Sequence, residues 1–210
     1  MKRWIIVAAL LAGMIGAYQW TSETKTEPTR KEVVKPPASP PEKQATMTPG
    51  RVVELHTTKG QIDFVLFEKD CPVTTKRIAD LVTKGSYNGI EFNRIVPRRL
   101  IQTGPAKGNK SLERIGREFA DGLIHTKGTV GMARMDDPNS ATSVFYILIE
   151  PMPWLNYEYT SFGRLIRGMD VVISIRKGDI IKSAKLRPFT DLDKKALNEV
   201  LKTESERRVN

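Results

Sequence analysis

A guanidinium set among apolar side chains is the first feature with chemical potential. In the stretch Ile90–Gln102, IEFNRIVPRRLIQ, residues Ile90, Phe92, Arg94 and Val96 recur at a period of two. That is the spacing of side chains on one face of a strand. A cation on such a face needs either a buried carboxylate partner or a task that uses its charge, and this stretch alone leaves both readings open. Val96-Pro97 ends the strand, because proline offers no ladder N–H. A second short strand, Leu100 to Gln102, then adds an amide side chain close to the arginine.

Other chemistries find little support. The chain has 210 residues, one cysteine (Cys71) and two histidines (His56 and His125). A single cysteine excludes an intrachain disulfide, and no clustered set of metal ligands is present. No metal site is therefore expected. The formal charge of +10 divides into +3 over 1–50, +7 over 51–188 and zero over 189–210. The excess lies on the candidate domain, and no basic run interleaved with aromatics is found, so nucleic-acid binding is not expected. A mildly basic domain instead draws anionic surfaces or acidic substrates. His125, preceding a strand and distant in sequence from Arg94, reads as structural.

The elements that must position Arg94 can be read from pattern. Met1-Lys2-Arg3 leads into an apolar run, Trp4 to Tyr18, of about 15–17 residues, the layout of a secretory leader. Cleavage after Ala17 would put Ile15 where a small residue is wanted. An uncleaved membrane anchor over 1–20 is thus preferred to a cleaved signal peptide, and either way the remainder is exported, to the periplasm or the outer face of the cytoplasmic membrane. Residues 21–50 contain KPPASPPEK and read as an extended spacer. From 51 to 188 a hairpin (Val52–Thr57, Gln61–Phe67) is followed by a helix, Pro72–Lys84. After the Arg94 strand pair come strands at Thr129–Arg134, Ser143–Ile149 and Tyr159–Ile166, a helix at Met169–Arg176 and a strand at Ile180–Leu186. About eight short strands and two helices predict a mainly β fold, a closed barrel with helical caps. Residues 189–210 read as a charged, solvated tail with helical potential.

Five blocks in register carry a resemblance: PVTTKRIADLVTKGSYNG, FNRIVPRRLIQ, HTKGTVGMAR, DPNSATSVFYI and PWLNYEYTSFGRLIRGMDVV. Together they resemble the cyclophilin family of peptidyl-prolyl cis-trans isomerases across 51–187. The resemblance implies an eight-stranded antiparallel barrel closed by a helix at each end. It also implies a groove on the outer face, proline-containing polypeptides as substrates and no cofactor. Arg94 matches the family's catalytic arginine, and Gln102 its supporting glutamine. Tyr146 and Leu155 match the proline pocket, and Trp154 the tryptophan that contacts cyclosporin. Phe92, Ala133, Leu100, Arg99 and Tyr159 are likewise carried into the substrate groove. Three of the matched positions depart from the pattern. Arg99 stands where a pocket phenylalanine is usual, Val144 replaces a glutamine, and Tyr159 replaces a histidine. The first predicts weakened cyclosporin binding. If Arg99 pointed inward it would spoil the pocket; if it snorkelled outward along its stem, the floor would survive. Arg94 and Gln102 favour catalysis, whereas the three departures favour a domain that binds proline peptides without useful turnover.

Overall fold

The computed structural model describes residues 47–209. The expected leader (1–20) and most of the expected spacer (21–50) lie outside the described residues. Eight strands run in chain order: β1 (Val52–Thr57), β2 (Gln61–Leu66), β3 (Ile90–Val96), β4 (Leu100–Thr103), β5 (Thr129–Met132), β6 (Phe145–Leu148), β7 (Ser161–Arg167) and β8 (Ile180–Arg187). They close in the order β1-β2-β7-β5-β6-β4-β3-β8, every pair antiparallel. Closure gives each of these strands a neighbour on both sides, which removes the open edges of a flat sheet. Phe64, Phe92, Phe145 and Phe162 fill the interior, and Tyr87 packs edge-on against Phe145 with its hydroxyl donated to the Ser143 carbonyl at 2.6 Å.

Helix α1 (Pro72–Thr83) buries Ile78, Leu81 and Val82, the apolar positions that its periodicity marks. Its start is capped from a distance. The Glu118 carboxylate accepts from Val73 N at 2.9 Å and Thr74 N at 2.7 Å, meeting two of the helix's free N–H groups with a charge of favourable sign. Its end is a Schellman turn, with Gly85 at φ 67° and the N–H groups of Gly85 and Ser86 returned to Val82 and Leu81. A short helix α2 spans Met169–Ser174.

A third helix, α3 (Asp191–Val209), takes up the helical potential of the charged C-terminal tail. Thr190 and Asp193 form a reciprocal cap: the Asp193 carboxylate accepts from Thr190 N, and Thr190 Oγ1 accepts from Asp193 N. The same buried carboxylate receives Arg187 Nη2 at 2.9 Å and Arg167 Nη2 at 3.2 Å, while both arginines also reach buried Asp63 at 3.3 Å. Leu197, one turn on, is buried in the core cluster. The helix is thus fastened to β7 and β8 by charges drawn from β2, β7, β8 and its own first turn. Sequence periodicity has no means of seeing such a contact. Among the described residues, no helix is long and apolar enough to cross a membrane.

Candidate active site

Arg94 reaches the outside of the barrel through an irregularity in β3. Phe92 pairs with Thr103, yet Arg94 pairs with Gln102, so Asn93 is one residue in excess. Such a bulge turns the rest of the strand over, so that its side chains exchange faces. Phe92 therefore points inward, fully buried in the barrel core, while Arg94 points out and is exposed. This corrects the uninterrupted period of two, and it removes Phe92 from the groove. Beyond the bulge, Ile95 packs on the interior and Val96 on the exterior.

Outward-facing residues line up across four strands. Arg94 (β3) faces Gln102 (β4), Gln102 faces Tyr146 (β6), and Tyr146 faces Gly131 (β5). Arg94 Nη1 donates to Gln102 Oε1 at 3.1 Å. The next outward row is Val96, Leu100 and Leu148. Leu100, Tyr146, Leu148 and Met152 form an apolar cluster separate from the barrel interior, with Ala133, Leu155 and Tyr159 packed against it. The two rows are two residues apart along each strand, about 6.5–7 Å, and Tyr146 belongs to both the arginine row and the apolar cluster, so the arginine row borders this apolar floor directly. Gly131 is what lets the Tyr146 ring lie flat on β5, because a Cβ there would sit 2.3 Å from the ring.

The floor is fixed from beneath by His125. Its Nε2 lies 2.8 Å from the Tyr146 hydroxyl and its Nδ1 3.2 Å from Asn156 Oδ1. Asn156 Oδ1 already accepts from the His125 backbone N–H at 2.8 Å, so the same oxygen accepts from Nδ1–H. The proton therefore sits on Nδ1, and Nε2 accepts from the Tyr146 O–H. The His125 carbonyl also takes the Met152 N–H at 2.9 Å. One buried residue thus joins the pocket tyrosine to the loop that carries Trp154 and Leu155. Burial is the main reason its pKa falls to about 4; the nearby Arg164 charge adds to the fall and the Asn156 hydrogen bond opposes it. His125 is neutral at pH 7. Burial likewise pushes the Tyr146 phenol well above its ordinary value, keeping its proton in place.

Tyr159 stands edge-on to Tyr146, ring centroids 6.3 Å apart. The Arg134 guanidinium lies 4.4 Å over the Tyr159 ring and pairs with Glu158 at 3.2 Å. Arg99 takes the outward course: it is exposed, with its guanidinium 5.6 Å from the centroid of Trp154, itself 58% exposed. The floor is therefore complete without a phenylalanine at position 99. Val144, half-buried, borders the pocket through its carbonyl, which accepts from Ala133 N.

The structure thus gathers Arg94, Gln102, Leu100, Ala133, Tyr146, Leu155 and Tyr159, with Arg99 and Trp154 on the rim. It adds His125, Asn156, Met152 and Gly131, which the sequence alone leaves out or marks as structural. Alternation in β4 and β6 could have found Leu148. Nothing local in sequence links His125 to a residue 31 positions later. A separate cavity of about 350 Å³, bounded by Leu165, Met169 and Val200 among others, includes none of these groups.

The barrel thus carries on its outer wall an apolar cluster set beside a polar row led by an arginine. Residues 52–193 match the family described as cyclophilin type peptidyl-prolyl cis-trans isomerase/CLD. A peptidyl-prolyl cis-trans isomerase of Acinetobacter baylyi is 36% identical over 133 residues, 59% of this chain and 71% of the relative. A peptidyl-prolyl cis-trans isomerase-like 1 protein of Rhizopus delemar is 39% identical over 127 residues, 57% and 76% of the two chains. A crystal structure of a Cryptosporidium parvum cyclophilin type isomerase superposes with a TM-score of 0.60 at 25% identity, covering 67% of this chain and 99% of the other. The same protein was crystallised with the dipeptide Ala-Pro, at a TM-score of 0.59 and 26% identity over 66% of this chain and 99% of that one. The chain belongs to the cyclophilin-type peptidyl-prolyl cis-trans isomerase family. It is accordingly an enzyme, a peptidyl-prolyl cis-trans isomerase.

Proposed function

We propose that this enzyme accelerates X–Pro bond rotation in exported or envelope polypeptides, with Arg94 stabilising the twisted amide. Rotation is opposed by about 18–20 kcal/mol because twisting destroys C–N resonance. In the twisted state the prolyl nitrogen recovers a lone pair and becomes a hydrogen-bond acceptor. A guanidinium donating to that nitrogen stabilises the transition state more than the ground state, which is what lowers a barrier. The observation that carries this reading is the Arg94–Gln102–Tyr146 row. The cation is exposed, held by an amide rather than a carboxylate, and set beside an apolar floor. The carboxylate-paired alternative for Arg94 lacks support, because no ion pair to it occurs among the described residues.

One well-placed donor contributes about 2.7–4 kcal/mol. A ten-thousand-fold acceleration needs about 5.5 kcal/mol. The difference falls to the floor of Leu100, Tyr146, Leu148 and Met152, which grips the proline ring, and to Gln102 as a peptide anchor. The second reading, a domain that binds proline peptides without useful turnover, draws on the departures at Arg99, Val144 and Tyr159. Of these, Arg99 directs its charge away from the floor, which favours turnover. Its stacking on Trp154 also covers a surface that a cyclosporin-type ligand would use, so weakened affinity for such ligands is proposed.

Exchange spectroscopy on a short X–Pro peptide with the purified protein tests the central reading. Accelerated cis/trans exchange is expected; peptide binding without acceleration would establish the second reading instead. Export rests on the leader over 1–20 and the proline-rich spacer. Protease added to intact spheroplasts should remove the barrel, and a protected barrel would refute export.

A further inference from the structure

The β3–β4 turn presents two arginines where the backbone would be better served by another residue. Val96 O accepts from Arg99 N at 3.0 Å, with Pro97 and Arg98 between them. Arg98 has φ 60°, in the left-handed region that glycine enters freely and residues with a Cβ enter with strain. A strained residue at the mouth of a groove points to a use for its side chain. Arg99 comes next, with its guanidinium over Trp154 at 5.6 Å. Both arginines are exposed, and neither has an ion pair among the described residues. The Glu150 backbone N lies 3.5 Å from the Arg99 carbonyl, and no ion pair joins the Glu150 side chain to either arginine among the described residues.

Arg94 likewise has no ion pair among the described residues, but its guanidinium is engaged by Gln102; three other arginines differ. Arg134 and Arg117 share Glu158 at 3.2 and 3.5 Å, and Arg114 meets Asp137 at 3.5 Å. Their charge is already answered. Positive charge is therefore left open at one end of the groove, beside Trp154 and next to the Leu100–Leu148 row. A guanidinium stacked on an aromatic ring keeps its edge N–H groups free, and that edge matches a carboxylate in geometry.

We propose that Arg98, Arg99 and Trp154 form an anionic subsite selecting proline segments that carry an Asp or Glu side chain within a residue or two of the proline. This deepens the isomerase reading and rests on the groove being the peptide site. An exposed ion pair contributes up to about 1 kcal/mol, so the expected preference is roughly two- to fivefold in kcat/KM for a glutamate-bearing peptide over its glutamine twin. Raising ionic strength from about 0.01 M to about 1 M shortens the screening length from about 30 Å to about 3 Å and should erase most of it.

The test uses peptides of one sequence with Glu, Gln or Lys placed before or after the Ala-Pro unit, each measured for cis/trans exchange and for affinity by Trp fluorescence. The wild-type protein should rank Glu above Gln above Lys at low salt. R98G and R99Q should each bring the Glu-to-Gln ratio towards one, and the turn of R98G should be no less stable than the parent. Turnover with a Glu-to-Gln ratio of one overturns the subsite while leaving the isomerase reading intact. Glutamate-dependent binding without turnover supports the subsite and overturns the isomerase reading. An undiminished preference in both variants also overturns the subsite, since the charge would then reside elsewhere.

Discussion

Replacing His125 by phenylalanine separates its charge from its packing. Its pKa in the folded protein is depressed to about 4 from an ordinary 6.5. Above about pH 6.5 the imidazole is neutral in both states, and its full contribution is present. As pH falls through 6.5 the unfolded chain takes up a proton that the buried ring refuses, so stability is lost, and the loss is complete near pH 4. The shift corresponds to about 3 kcal/mol at 1.36 kcal/mol per unit. Almost no solvent screening reduces it, because His125 is only 2% exposed. His125→Phe should therefore flatten this segment of the stability–pH curve. At pH 7 the same variant orphans the Tyr146 hydroxyl, at about 1–3 kcal/mol. Adding Tyr146→Phe removes the orphan, so the double variant should recover part of the loss, with a coupling of about 0.5–3 kcal/mol. Urea denaturation of the four proteins at pH 7 and at pH 4.5 measures both quantities. Identical pH slopes in wild type and His125→Phe, or strictly additive losses, would refute the hydrogen-bonded clasp between Tyr146 and the Asn156 loop.

Arg94→Ala should lower kcat/KM by about a hundredfold or more with little change in thermal stability, because the side chain is exposed and held by one hydrogen bond; a large stability loss with activity retained would restore a structural role. Gly131→Ala drives a methyl into the Tyr146 ring, and should cost about 1–3 kcal/mol and raise KM more than it lowers kcat. Asp193→Asn weakens the buried charge network that fastens α3, and a loss of up to about 3–5 kcal/mol in thermal or chemical denaturation is expected. In the parent, the Arg187 hydrogen bonds hold the Asp193 carboxyl well below its ordinary value. The stability it confers is present above about pH 4 and lost as pH falls further, a window below that of His125.

Much of the barrel was legible in the sequence, because it depends on local rules. Alternating Val, Ile and Phe with turn residues between them marked strands, and Pro72 and Gly85 bracketed α1. Arg94 and Gln102 were legible because a charge and an amide near apolar neighbours stand out in a short stretch. The face on which Arg94 lies was a different matter. It depends on a bulge at Asn93, and a bulge exists only when a partner strand is present to be out of step with. The period of two alone would have buried Arg94 beside Phe92. His125 was likewise invisible as a pocket residue, since its partners Tyr146 and Asn156 lie 21 and 31 positions away. The course of Arg99 turned on Trp154, a residue from another loop. Even α3, whose helical potential is written in its own sequence, owes its seat to Asp63, Arg167 and Arg187. Sequence determined which segments become strands and helices, because those preferences act within a few residues. Tertiary structure decided which side chains meet, because hydrogen bonds and ion pairs act over a few ångströms and only closure of the barrel brings distant residues that close.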